Sequence, residues 1–205
     1  MMQRIERQGM LRPGILHCLI LAATLLLGAC GPSNTVRLLP PPPLEASLLP
    51  TANAARVTVV TFVDRREDIT AIGVRRDGTA FETQGNLTEW VTSAMADALA
   101  HMGLQVSIAQ TVNQARAGTP DYLVTGELQQ VWLKETSTMD MSAVMRMDYT
   151  LANKEKRVVR DNYSASQSRS GLPSNTMAEK LLQDTLNDMV RPVADKIYRA
   201  VRTKK

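Results

Sequence analysis

The spacing of apolar positions changes several times along the chain, and each change marks an element. Residues 14–27 form a nearly unbroken apolar run, whereas residues 31–55 hold no sustained period and are rich in Pro, Ser and Asn. From Arg56 to Val63, β-branched and apolar residues fill both alternating sets, the pattern of a strand covered on both faces. The charged segment Asp64-Arg65-Arg66-Glu67-Asp68 leads to a short second strand over Ala71–Arg75, closed by the turn signal Asp77-Gly78. Leu87, Trp90, Val91, Ala94, Met95, Ala98, Leu99 and Met102 then recur at helical spacing. Asn86 with Glu89 has the form of a capping box, and Gly103 sits where a left-handed C-terminal cap belongs.

A strand over 104–109 and a helical turn over 111–117 follow, and then three long strands in meander order. The first begins as an apolar run at Asp121–Glu135. The second, Asp140–Ala152, alternates cleanly, with Met141, Ala143, Met145, Met147, Tyr149 and Leu151 on one face. The third, Arg157–Ser168, follows across Asn153-Lys154-Glu155-Lys156 as a hairpin. Ser174 or Asn175 caps a last amphipathic helix, in which Pro192 predicts a kink or restart near residue 191. The order β-β-α-β-β-β-β-α predicts an α+β two-layer sandwich, with a mostly antiparallel sheet and two main helices on one face.

The N-terminal run is preceded by Arg4, Arg7 and Arg12 against Glu6 alone, so residues 1–29 read as a secretory signal segment. It is too short to be a comfortable transmembrane helix. The run ends in Leu27-Gly28-Ala29-Cys30, which resembles the lipobox of bacterial lipoproteins: small residues that fit a peptidase cleft, then a Cys whose thiol takes a diacylglyceryl group. That resemblance implies cleavage before Cys30, a covalent diacylglycerol and N-acyl lipid on Cys30, and attachment to a membrane. Gly31 stands where Asp would retain the protein at the inner membrane in the enterobacterial scheme, so an outer-membrane, periplasm-facing position in a Gram-negative envelope is expected. The organisation expected is a signal segment at 1–29, a lipidated Cys and Pro-rich tether at 30–55, and a single domain at 56–205. Fully extended, such a tether would reach about 80 Å at about 3.3 Å per residue.

Composition narrows the chemistry. Loss of Arg4, Arg7, Arg12 and Glu6 takes the formal charge from +4 to +2, too little to argue for a nucleic-acid partner. Cys18 leaves with the signal segment, so Cys30 stays as the sole cysteine and no intramolecular disulfide can form. His101 is then the sole histidine, which by count removes a Cys/His metal cluster and leaves a Ser-His-Asp arrangement only if His101 is its base. It reads as a helix-end residue. No Walker loop, dinucleotide fingerprint or nucleophile elbow is present. No cofactor, metal or catalytic residue is therefore expected.

Arg65, Arg66, Arg75 and Arg76 flank the segment between the first two predicted strands, and would gather at one rim if those strands pair. Such a rim would suit a phosphate, a lipid headgroup or a partner's carboxylates; neutralisation by Glu67, Asp68 and Asp77 is the blander reading. The Met141, Met145, Met147 and Tyr149 stripe reads as core beneath the helices, with an adaptable groove as the alternative. Trp90 and Trp132 read as core or rim anchors rather than a glycan platform.

Several segments together resemble the YajG family of small Gram-negative lipoproteins. They are the lipobox at Cys30, the spacer, the strand running into Asp64-Arg65-Arg66, the His101-Met102-Gly103-Leu104-Gln105-Val106 helix end, Met147-Asp148-Tyr149, Asn162-Tyr163-Ser164-Ala165, and Leu182 to Met189. The resemblance implies an outer-membrane lipoprotein and brings no catalytic residue with it. The function expected is a non-catalytic envelope lipoprotein that binds another envelope protein or lipid; the alternative is an envelope hydrolase or glycan-binding factor.

Overall fold

A computed structural model describes residues 33–40, 50–51 and 53–203. The compact unit begins at Asn34. Among the described residues, nine strands and three helices run in the order β1 (Thr35–Arg37), β2 (Arg56–Val60), β3 (Val63–Asp64), β4 (Gly73–Val74), β5 (Ala80–Gln84), α1 (Leu87–His101), β6 (Gln105–Ala109), α2 (Val112–Ala117), β7 (Tyr122–Glu135), β8 (Asp140–Asn153), β9 (Arg157–Ser170) and α3 (Asn175–Arg202). The α+β class expected from the pattern holds, with the long helices α1 and α3 packed together over one core.

Strand β7 is the pivot of the sheet. One edge pairs antiparallel with β8 from Tyr122↔Asn153 to Glu135↔Met141, and β8 in turn pairs antiparallel with β9. The other edge takes β2, β3 and β4 in succession, all parallel. Beyond β4 lie β5 and then β1, and beyond β2 lies β6. The three long antiparallel strands supply most of the pairing, but the short strands make the sheet mixed.

The alternation in β8 predicts its inner face correctly. Met141, Ala143, Met145, Met147, Tyr149 and Leu151 are all buried against the helices. In β7 the inner set switches parity: Val124 and Leu128 point inward, then Val131 and Leu133. A bulge between Leu128 and Gln130 absorbs the extra residue, because inserting one residue flips every later side chain to the other face. Strand β2 is buried on both faces as its sequence implies, with Val57 and Val59 in the main core and Val60 in a small second cluster with Ala109 and Ala115 under α2.

Local chemistry marks the ends of α1. Asn86 Oδ1 accepts from the main-chain N–H of Thr88 and Glu89, at 3.0 and 3.2 Å. At the other end Gly103 has φ of 83°, its N–H donates to Ala100 O, and Leu104 N–H donates to Leu99 O. This is a Schellman closure, and Leu104 tucks into the core beyond it. Helix α3 is continuous through Pro192, so of the kink or restart expected near residue 191 the restart does not occur. Met189, Val190, Val193 and Ala194 are all buried around it, and that packing outweighs a cost of about 3 kcal/mol for an interior proline.

The boundary between tether and domain also differs from expectation. Residues 34–40 belong to the fold. Val36 is fully buried, and β1 pairs parallel with β5 through Thr35↔Glu82, Val36↔Thr83 and Arg37↔Gln84. Trp90 Nε1 donates to Leu39 O at 2.7 Å, Asn175 Nδ2 to Thr35 O and Gln183 Nε2 to Pro40 O, each at 3.1 Å. A three-residue strand is too short to register as a period, which hides it in a Pro- and Ser-rich stretch. Most of the remaining expected tether, 41–49, lies outside the described residues, as do the signal segment, the lipobox residues Leu27, Gly28 and Ala29, and Cys30 itself.

Candidate functional site

The four arginines singled out from the sequence do not converge. Strands β3 and β4 never pair with each other; both lie along β7, β3 at Glu127–Leu128 and β4 at Leu133–Lys134. Five to seven residues of β7 separate the two pairs, about 16–23 Å at about 3.3 Å per residue.

Arg66 is a loop staple. Its side chain, 5% exposed, forks onto Asp64 and also donates to Ala71 O at 2.8 Å and Ile69 O at 3.1 Å. All of its charge is spent holding the 64–71 loop against the sheet. Arg75 is equally engaged: Nη1 donates to Glu135 Oε1 at 2.9 Å, and the guanidinium lies over the Phe81 ring at 4.7 Å. Arg65 stands 3.8 Å from Glu127 at the surface, and the Arg76 N–H donates to Glu135 Oε2 while its side chain stays exposed. An anion-binding rim built from all four is not what the chain assembles. Because Arg75 and Glu135 are only 9% and 10% exposed, Glu135→Ala strands a buried guanidinium, and urea unfolding should register a loss of about 3 kcal/mol.

Asp97 and His101 meet in a shallow groove between α1 and α3, floored by Ala94 and Val190 and bounded by Asn187 and Arg191. Burial raises the Asp97 pKa, against a smaller lowering by His101. His101 Nδ1 lies 2.7 Å from the Asp97 carbonyl oxygen, one turn back on the same helix, so this nitrogen donates into its own helix end. Among the described residues no hydroxyl or thiol lines the groove, so a Ser or Cys nucleophile with His101 as its base is not assembled there. Among the described residues, no three His, Cys, Asp or Glu side chains cluster as metal ligands would.

The aromatic residues do not form a platform. Trp90 is buried and hydrogen-bonded to the 34–40 segment, while Trp132 is half-buried on the outer sheet face, beside Arg66–Asp68 and Arg146. The methionine stripe of β8 is core.

One end of the sheet gathers features that were scattered in the sequence. Because β1 runs parallel to β5, and β4 runs parallel to β7, the chain enters β1 at the same end as the 75–79 turn, the 136–139 turn and the 171–174 loop. Asn175 bonds Thr35 there, and Gly171 N–H donates to Met139 O at 2.7 Å. At this end Leu172 is 77% exposed and Met139 48%. Asp77 and Asp140 are both held below the usual carboxylate range, Asp77 by the Thr79 N–H and Asp140 by the Ser170 and Ser137 hydroxyls. Arg76 and Lys134 remain exposed beside them. This end was not found from the sequence because Leu172 and Met139 lie in loops, where no periodicity distinguishes an inward from an outward side chain.

No family model and no curated protein matches the chain, so the YajG resemblance rests on its motifs alone. Solved structures do share the fold. Protein XCC0632 from Xanthomonas campestris, of the DUF330 family, superposes with a TM-score of 0.56 at 12% identity, over 84% of this chain and 95% of its own. An uncharacterized protein superposes with a TM-score of 0.52 at 9% identity, over 80% of this chain and 99% of its own. Lipoprotein GNA1162 from Neisseria meningitidis gives a TM-score of 0.40 at 13% identity, over 65% and 96%. At these identities the first two likenesses establish the fold. Among the described residues no helix is long and apolar enough to cross a membrane.

Proposed function

We propose that the protein is a non-catalytic lipoprotein of a Gram-negative envelope, held by acyl chains on Cys30 at the periplasmic face of the outer membrane, whose domain binds another envelope protein or lipid. The observation that carries this reading is the junction between address and fold. Leu27-Gly28-Ala29-Cys30 closes an apolar signal segment, and a compact α+β unit starts only four residues later, at Asn34. Gly31 in place of Asp supports the outer membrane over the inner. Among the described residues no Ser, Thr or Cys lines the Asp97–His101 groove, which favours binding over acyl-transfer turnover.

Cys30→Ser removes the acyl acceptor. In cells fed an alkyne-bearing palmitate, the wild type is expected to label and to fractionate with the outer membrane, and the variant to do neither. Label on the variant would sink the lipoprotein reading. Turnover of peptidoglycan or phospholipid by the purified protein, lost in Asp97→Asn or His101→Ala, would sink the non-catalytic part.

A further inference from the structure

We propose that the loop end carrying Leu172 and Met139 lies against the lipid surface, so that the domain is docked on its own membrane in one orientation instead of hanging from a long tether. This deepens the lipoprotein reading and rests on it.

Chain length sets the first constraint. Four peptide steps separate Cys30 from Asn34, and four residues span at most about 14 Å even when fully extended. Asn34 cannot drift from the fold, since its carbonyl accepts from Glu82 N–H at 3.0 Å and the next residues are strand β1. Residues 41–55, which composition alone assigns to a spacer, follow β1 in the chain and so add nothing to the reach between Cys30 and Asn34. An acylated Cys30 therefore brings the β1 entry end to the headgroups.

The chemistry of that end is the second constraint. Leu172 is the most exposed large apolar side chain among the described residues, at 77%, and it sits at the tip of Gly171-Leu172-Pro173. Met139 is its neighbour through the Gly171–Met139 main-chain hydrogen bond. Asp77 and Asp140 stay ionised within their own turns, Asp77 with Thr79 and Asp140 with Ser137 and Ser170, and the exposed Arg76 and Lys134 match their charge, so the two anions do not by themselves repel this end from anionic headgroups. Two apolar side chains make a patch far too small for a stable protein interface, which buries at least about 1,000 Å². They are enough to orient a body whose affinity for the bilayer comes from acyl chains.

The test uses the full-length lipidated protein in phosphatidylethanolamine–phosphatidylglycerol vesicles. Because the only cysteine left after processing is acylated, Leu172→Cys and Glu155→Cys each accept one environment-sensitive fluorophore. Glu155 is exposed in the β8–β9 turn, at the far end of a 14-residue strand about 46 Å long at about 3.3 Å per residue. The probe at 172 should shift to the blue and be quenched several-fold more than the probe at 155 by bromine-bearing lipid tails. Equal quenching at the two sites, with Cys30 acylation verified by mass spectrometry, would overturn the docking inference and leave the lipoprotein reading standing. A blue shift without lipid quenching would mark a protein contact and overturn the lipid assignment. Absence of acyl groups on Cys30 would overturn both.

Discussion

Replacing Gly73 with valine is expected to detach one wing of the sheet and lower stability by about 4 kcal/mol or more in urea unfolding of the soluble form lacking Cys30, since two large buried side chains contribute about 1.5–3 kcal/mol each. Gly73 pairs with Leu133, and a Cβ built on it falls 1.9 Å from Leu133 O. The obstacle is main chain, so no rotamer change relieves it, and β4 must leave β7. Strand β5 reaches β7 only through β4, and β1 only through β5. Ile72, Phe81 and Val36, at 0%, 1% and 0% exposed, lose their cover together. A domain is stable by only about 5–15 kcal/mol, so such a loss leaves the variant marginal at physiological temperature. Wild-type stability in Gly73→Val would show that β4 is not the hinge of this wing.

The same wing marks where sequence reasoning stops. The ends of α1 are legible because each depends on residues within a few positions, Asn86 at one end and Gly103 at the other. The inner face of β8 is legible because fourteen residues repeat with one period. Strand β1 offers one inward residue, Val36, and no repeat can be read from one residue. The arginine pairs look like neighbours because β3 and β4 are close in sequence. Their separation is decided by β7, whose 122–135 edge accepts three short strands in a row, and no local pattern announces a partner some sixty residues away. The candidate docking end has the same origin: the entry into β1 and three separate turns meet there because of strand pairings that hydrophobic periodicity does not encode.

Removing residues 34–40, or starting the chain at Arg56, is expected to cost on the order of 3 kcal/mol or more, whereas a chain starting at Ser33 should fold with full stability. Burial of Val36 alone is worth about 1.5–3 kcal/mol, and the segment also satisfies the Trp90 indole and closes over Glu179. Arg37 Nε and Nη2 fork onto the Glu179 carboxylate at 2.8 and 3.0 Å, with Glu179 only 5% exposed and Arg37 68%. The hydrogen bonds from Arg37 hold the Glu179 pKa below its ordinary 4.5, against the upward push of burial. A carboxyl whose pKa is lower in the folded state adds stability that is complete above its unfolded pKa and lost as pH falls through the folded one. In Arg37→Met the hydrogen bonds vanish and burial remains, so the Glu179 pKa rises above its unfolded value and the sign reverses. The stability gap between wild type and Arg37→Met should therefore be largest at neutral pH, and close as the pH falls through the raised pKa of the variant and then the lowered pKa of the wild type, on either side of 4.5. Other carboxylates titrate in the same range, Asp68, Asp77 and Asp121 among them, but they are common to both proteins and cancel in the difference. A gap independent of pH would mean that Arg37 acts through packing alone. A truncation from Arg56 with undiminished stability would return residues 34–40 to the tether, and with them the reach that keeps the domain clear of the bilayer.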